Sequence, residues 1–167
     1  MKLSARIDAV VKRLRDKGVD LQSHQNPDWI LGIEKRIGRT LPETYRDLVA
    51  RYSFAPLEIG PVVLFSNLGD QSFNDITSAP FRDPILSPWI IHAGYFHVAC
   101  TSLENYDPVC LELCEAQYPK QCTPVMKFDH EAILCGRPPV SREIISESFL
   151  GLLEEHAFYD PNSVKGE

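Results

Sequence analysis

The sequence predicts an α+β fold, a single domain in which N-terminal helices and one C-terminal helix pack on a central, mostly antiparallel sheet. Apolar residues recur at helical spacing before residue 53, whereas residues 53–142 contain short β-rich runs separated by frequent prolines and glycines. A helical pattern returns after residue 148. This order predicts one domain over residues 1–160 and a flexible C-terminal tail over residues 161–167.

Three helices are predicted in the N-terminal part. The first spans residues 2–17 and ends at Gly18, where a left-handed cap stops the helix. Its apolar face consists of Leu3, Ile7, Val10, Val11 and Leu14. The second opens at residues 26–28 (NPD) and ends at Gly38, and the third starts at residues 41–42 (LP).

Four strands of one sheet are predicted at residues 62–66, 89–97, 109–114 and 125–128. Residues 69–87 show no periodicity and are predicted to form a long polar loop, a kind of segment that is often functional. The closing helix follows a serine cap within the sequence SES. Its buried side is expected to carry Phe149, Leu152, Leu153 and Phe158.

Composition and charge narrow the class of protein. No apolar run approaches the roughly 20 residues that cross a bilayer, and charged residues interrupt the first eight positions, so a cytoplasmic protein without a membrane segment is expected. Five cysteines, an odd number, favour free and mostly buried thiols. A net charge of -6 argues against direct nucleic-acid binding and is compatible with a basic protein partner.

From its motifs, the protein is predicted not to be an enzyme and to bind neither a cofactor nor a metal. The sequence contains no nucleophile elbow and no glycine-rich phosphate loop. Asp129, His130 and Glu131, with His92 and His97 elsewhere, offer carboxylate and imidazole groups that suit a metal. We favour a turn in which Asp129 is an N-cap at the end of a strand and His130 bonds the backbone, and a metal-dependent hydrolase is the less favoured alternative.

A binding surface is predicted on two acidic loops, because recognition residues usually lie on loops held by a rigid scaffold. One is the polar loop, and the other is the turn before the strand at residue 109. A tyrosine beside carboxylates offers packing area and charge to a basic partner. The predicted partner-binding residues are Asp70, Asp75, Asp83, Glu104, Tyr106 and Asp107.

Three stretches of the chain, taken in order, resemble the SUKH superfamily, which includes the fungal Smi and Knr cell-wall regulators and many bacterial immunity proteins. The first is residues 33–48, IEKRIGRTLPETYRDL. The second comprises residues 94–99, GYFHVA, and 105–113, NYDPVCLEL. The third comprises residues 124–131, PVMKFDHE, and 146–153, SESFLGLL. One departure is the sequence SFA at residues 53–55, where many members carry Asn-Gly.

The resemblance implies an α+β fold with a central sheet, no catalytic residues, and binding in place of chemistry. For a bacterial member it implies a cytoplasmic immunity protein that neutralises a toxin domain, often a nuclease. A regulatory scaffold that binds several signalling proteins is the alternative implied by the fungal members. An acidic inhibitor would gain association rate from the complementary field of a basic toxin domain.

Overall fold

A computed structural model describes residues 2–24, 27–101, 107–113, 122–137 and 140–159 of the chain. The predicted tail at residues 161–167 lies outside these ranges. The described residues form six α-helices: α1 (Leu3–Asp16), α2 (Trp29–Ile37), α3 (Glu43–Arg51), α4 (Leu86–His92), α5 (His130–Leu134) and α6 (Phe149–Phe158). They also form eight strands: β1 (Gln22–Ser23), β2 (Tyr52–Ser53), β3 (Leu57–Ile59), β4 (Val62–Leu64), β5 (Tyr95–Cys100), β6 (Pro108–Glu112), β7 (Val125–Phe128) and β8 (Arg142–Ser146).

The predicted α+β fold is confirmed. Strands β3 to β8 form one six-stranded sheet in which every strand pairs antiparallel with the next strand of the chain. Strands β1 and β2 make a separate two-stranded sheet. Helices come first and last in the chain, and the larger sheet is built from its middle, which also contributes α4 and α5.

Both faces of the sheet are buried, but by different helices. One face packs with α1, α3 and α6 in a large core, to which strand β6 contributes Val109 and Leu111. The other face packs with α4 and α5, and there the same strand contributes Cys110 to a smaller apolar cluster. Neighbouring residues of a strand point to opposite faces, which explains why β6 reads as a nearly continuous apolar run.

The ends of the helices follow the predicted signals. Gly18 and Gly38 adopt positive φ values of 87° and 70° after α1 and α2, as expected for left-handed caps. The hydroxyl of Ser148 accepts a hydrogen bond from the backbone of Gly151 and begins α6. Phe158 is 53% exposed, so its predicted burial is wrong.

The strand predicted at residues 89–97 is wrong for residues 89–94 and correct from Tyr95 onward. Residues 89–92 belong to α4, and β5 starts only at Tyr95, after a turn at Gly94 with φ 89°. Asp83 starts this helix by accepting hydrogen bonds from the backbone of Ile85 and Leu86. Pro88 lies in the first turn, where its missing N–H costs nothing. A short apolar run looks alike in a buried helix and a buried strand, which explains the error.

Replacing Leu111 tests whether β6 contributes to the large core, because this side chain is fully buried there. We expect Leu111→Ala to lower the free energy of unfolding by about 2–4 kcal/mol, from lost burial and the cavity left behind. The matched control is Leu31→Ala, since Leu31 is 59% exposed on α2. Urea unfolding that finds equal losses in both variants would contradict the assigned core.

Candidate functional site

The acidic loop residues predicted to bind a partner occupy three different environments. Asp70 is exposed and accepts a hydrogen bond from the backbone of Ser72 at 2.9 Å. Asp83 is half-buried, and its carboxylate caps the segment that enters α4. Asp75 is fully buried. Only Asp70 and Asp83 therefore present carboxylates toward solvent.

The surface role predicted for Asp75 is wrong, because its carboxylate is fully engaged inside the protein. Oδ2 accepts hydrogen bonds from Ser66 Oγ and the Gly69 backbone N–H, both at 3.0 Å. Oδ1 accepts from the backbone N–H of Thr77 at 2.9 Å and from its hydroxyl at 2.5 Å. Burying a carboxylate requires such bonds, and these four fix the path of the loop after β4.

The turn before β6 is described only at its last residue, since Glu104 and Tyr106 lie outside the described residues. Asp107 is half-buried and faces α5. Its Oδ1 accepts a hydrogen bond from His130 Nδ1 at 2.7 Å and one from the His130 backbone N–H at 3.2 Å. Asp107 thus positions the imidazole at the start of α5, a contact that the sequence did not predict.

Three side chains at this junction could hold a divalent cation. Asp107, Asp129 and His130 each offer one ligand atom, and these atoms lie within 4.8 Å of one another. One imidazole and two carboxylates suit zinc and other transition metals. However, His130 bonds Asp107, and Asp129 caps α5 by accepting from the Ala132 backbone at 3.0 Å. The capping role predicted for Asp129 is confirmed, whereas His130 bonds a carboxylate through its ring and not the backbone.

A cleft of about 620 Å³ lies between the loop after β4, strand β5 and helix α5. Phe65, Phe73 and Leu86 line it from the loop side, and Leu134 lines it from α5. Asp83 and His130 also line it, so the predicted acidic loop and the partner of Asp107 meet at one cavity. This volume falls within the range of small-ligand sites.

Strand β5 forms the floor of the cleft with His97 and Cys100. The pairing register with β6 shifts between His97 and Ala99. Such a bulge inserts one residue and resets the alternation of side chains, which explains how residues three apart line the same cavity. Cys100 is buried and its thiol contacts the Val63 carbonyl.

His97 is the most perturbed titratable group of the cleft. Burial lowers its pKa to about 4, and a hydrogen bond to the Ala99 backbone opposes this shift. Its ring packs edge-on against Phe65, with ring centroids 4.8 Å apart. The imidazole is therefore neutral at neutral pH. Since no charged group contributes to the shift, the low pKa reports the apolar surroundings of the ring.

The mouth of the cleft carries exposed apolar side chains. Phe73 is 60% exposed and Leu134 is 41% exposed, although both line the cavity. Arg82 stacks on Phe73, with its guanidinium carbon 3.5 Å from the ring centroid, and donates to the Phe73 carbonyl. Sequence analysis missed these residues. The available signal was Phe73, a phenylalanine among the polar residues 70–75 of the predicted loop.

Cys110 lies in the smaller apolar cluster beneath α4 and α5. Burial raises the pKa of Cys110 well above its usual value, which disfavours its thiolate. Cys122 and Cys135 are exposed, so the expectation of mostly buried thiols does not extend to them. Cys114 lies outside the described residues.

Asp75→Asn tests whether the loop wall of the cleft depends on this buried carboxylate. The substitution replaces an acceptor oxygen by an amide group that faces backbone donors. We expect the free energy of unfolding in urea to fall by about 1–3 kcal/mol. Asp70→Asn is the matched control at an exposed position of the same loop, where a change below about 0.5 kcal/mol is expected. Equal free energies of unfolding for the two variants would contradict this structural role of Asp75.

None of the helices formed by the described residues is both long and apolar enough to cross a membrane. No family model, no curated protein and no solved structure matches this chain. The resemblance to the SUKH superfamily therefore stays a prediction from the residues that carry it.

Proposed function

We propose that this protein is a non-catalytic binding module that takes a basic protein partner at the cleft between the loop after β4 and helix α5. The observation that carries the proposal is the set of exposed apolar side chains at the mouth. Phe73 and Leu134 line the cavity, and Ile85 is 55% exposed between two residues that also line it. Clustered exposed apolar groups are typical of interaction sites.

The shape of the site suits a protein partner with a protruding side chain. Interfaces draw most of their binding energy from a few large side chains that fill pockets, while surrounding contacts exclude water. The cleft supplies such a pocket, and Phe73 and Leu134 supply the surrounding apolar surface. A flat surface with the same residues would provide apolar contact area but no pocket for a partner side chain to fill.

Charge favours a basic partner. The chain has a net charge of -6. Asp83 lines the cleft, Asp70 lies on the same loop, and Asp129 and Glu131 are the chain neighbours of the lining residue His130 at the start of α5. Arg82 is the cation that lines the cleft, and it is held against Phe73. Complementary charge of this kind raises the association rate more than the final affinity.

The class of partner follows from the resemblance to SUKH proteins. We infer that the partner is a toxin domain and that this chain neutralises it in the cytoplasm. The proposal needs no catalytic group. This agrees with the buried Cys110 and with the hydrogen bonds that engage Asp107, Asp129 and His130.

Phe73→Ala tests the proposed surface. We expect it to raise the dissociation constant for a basic toxin domain, taken from any toxin gene found adjacent to this one, by about tenfold or more, mainly through faster dissociation. Biolayer interferometry with the purified full chain measures both rates. The matched control is Phe158→Ala, because Phe158 is 53% exposed on α6, away from the cleft. We expect that variant to bind within about twofold of the unchanged protein.

Two results would count against the proposal. If Phe158→Ala weakens binding and Phe73→Ala does not, the interface lies on α6 and not at the cleft. If the toxin domain does not bind the chain at micromolar concentrations, the proposed partner class is wrong.

A further inference from the structure

Helix α6 contacts the turn between β3 and β4 through the ring of one histidine. Ile59 pairs with Val62, so the turn between them consists of two residues and begins at Gly60. The backbone N–H of Gly60 donates a hydrogen bond of 2.9 Å to Nδ1 of His156. In a two-residue turn this N–H lies outside the ladder of the hairpin, so the imidazole supplies its partner.

The turn lies close against the helix. Gly60 has a φ of 56°, in the left-handed region that favours glycine, and a Cβ at this position would lie 3.7 Å from Cδ1 of Leu152. Strand β3 is an edge of the six-stranded sheet, and its apolar residues Leu57 and Ile59 are buried in the same core as Leu152. The hydrogen bond therefore joins the edge hairpin of the sheet to α6.

This hydrogen bond can form in only one charge state of the ring. A backbone N–H only donates, so Nδ1 of His156 is the acceptor and the proton of the neutral ring lies on Nε2. A protonated imidazole has an N–H group at both nitrogens and no acceptor. Protonation of His156 therefore removes the bond and places two N–H groups against each other.

The surroundings of the ring also disfavour its charged form. Burial lowers the pKa of His156, and the ammonium group of Lys17 lowers it further, whereas the carboxylate of Glu58 on β3 opposes the shift. Lys17 follows α1 and donates to the carbonyls of His156 and Tyr159 at 2.9 and 3.0 Å. A cation thus already lies at the carboxyl end of α6, where a charged imidazole would otherwise be favoured. Helix α3 and strand β8 also pack on α6, through side chains of the apolar core.

We propose that the contact between His156 and Gly60 is an acid-sensitive switch, which holds the β3–β4 turn on α6 while the imidazole is neutral and releases the turn when the imidazole is protonated. The switch is separate from the proposed function, because neither residue lines the cleft. Since the pKa of His156 is lower in the folded chain, the stability from this contact is complete above the ordinary value of 6.5 and is lost as the pH falls through the lowered pKa.

Nuclear magnetic resonance of the isotope-labelled full chain tests the switch. Nitrogen chemical shifts of the imidazole report its tautomer, and a scalar coupling between the nitrogen of Gly60 and Nδ1 of His156 reports the hydrogen bond itself. At about pH 8 we expect the ring proton on Nε2 and a measurable coupling, which is lost as the ring is protonated toward about pH 5. A proton on Nδ1 or no coupling at about pH 8, or a coupling that survives protonation, would overturn the inference.

His156→Asn separates the hydrogen bond from the charge. Asparagine places an amide oxygen where histidine has Nδ1, and this oxygen is an acceptor at every pH. We expect the amide proton shift of Gly60 to follow the titration of His156 in the unchanged protein and to stay constant in this variant. His92→Asn is the matched control, because His92 is exposed on α4 and its Nδ1 contacts the Pro88 carbonyl of the same helix. A Gly60 shift that still titrates in His156→Asn would contradict the proposal.

The two charges beside the ring give opposite tests of the midpoint. Glu58→Gln removes the carboxylate that raises the pKa of His156, so the coupling should persist to lower pH. Lys17→Met removes the ammonium group that lowers this pKa, so the coupling should be lost at higher pH. Unchanged midpoints in both variants, or shifts in the reverse directions, would show that these charges do not act on the switch and would count against it.

Discussion

The buried carboxylate of Asp75 is the interaction on which the cleft depends. Its four hydrogen bonds join Ser66, two residues after β4, to Gly69 and Thr77, so one side chain ties together the loop from Ser66 to Thr77. Its charge also adds to burial in raising the pKa of the nearby Tyr45. This anchor acts together with a backbone bridge between Ser66 and Asp75, in which the N–H groups of Ser66 and Ile76 donate to the carbonyls of Asn74 and Ser66, to hold the loop along one side of the sheet.

The cleft exists because the helices cover the two faces of the sheet unequally. The longer helices α1 and α6 seal one face, whereas the short helices α4 and α5 cover only part of the other. The cleft beside these helices is lined by His97, whose ring is neutral and packs edge-on against Phe65. The same fold therefore produces a closed core on one side and an open cleft on the other.

Much of the fold could be predicted from the sequence, because local periodicity and capping residues report directly on burial. The strand at residues 125–128, the strand that begins near residue 109 and the serine cap of the closing helix are confirmed. The site could be predicted only in part. Asp107 and His130 are 23 residues apart and meet through the pairing of β6 with β7, which no local pattern reveals. The sequence does not distinguish Asp75 from an exposed loop aspartate, because its burial and its hydrogen-bond partners are set by the fold.

The central claim is that the partner binds at the cleft, and amide shift mapping of the complex tests it most directly. Unlabelled toxin domain is added to the isotope-labelled chain, and perturbed backbone amides are located on the structure. We expect the perturbations to concentrate in residues 65–87 and in α5, with α1 and α2 unaffected. Perturbations confined to the exposed faces of α1 and α2, with the cleft residues unchanged, would contradict the account.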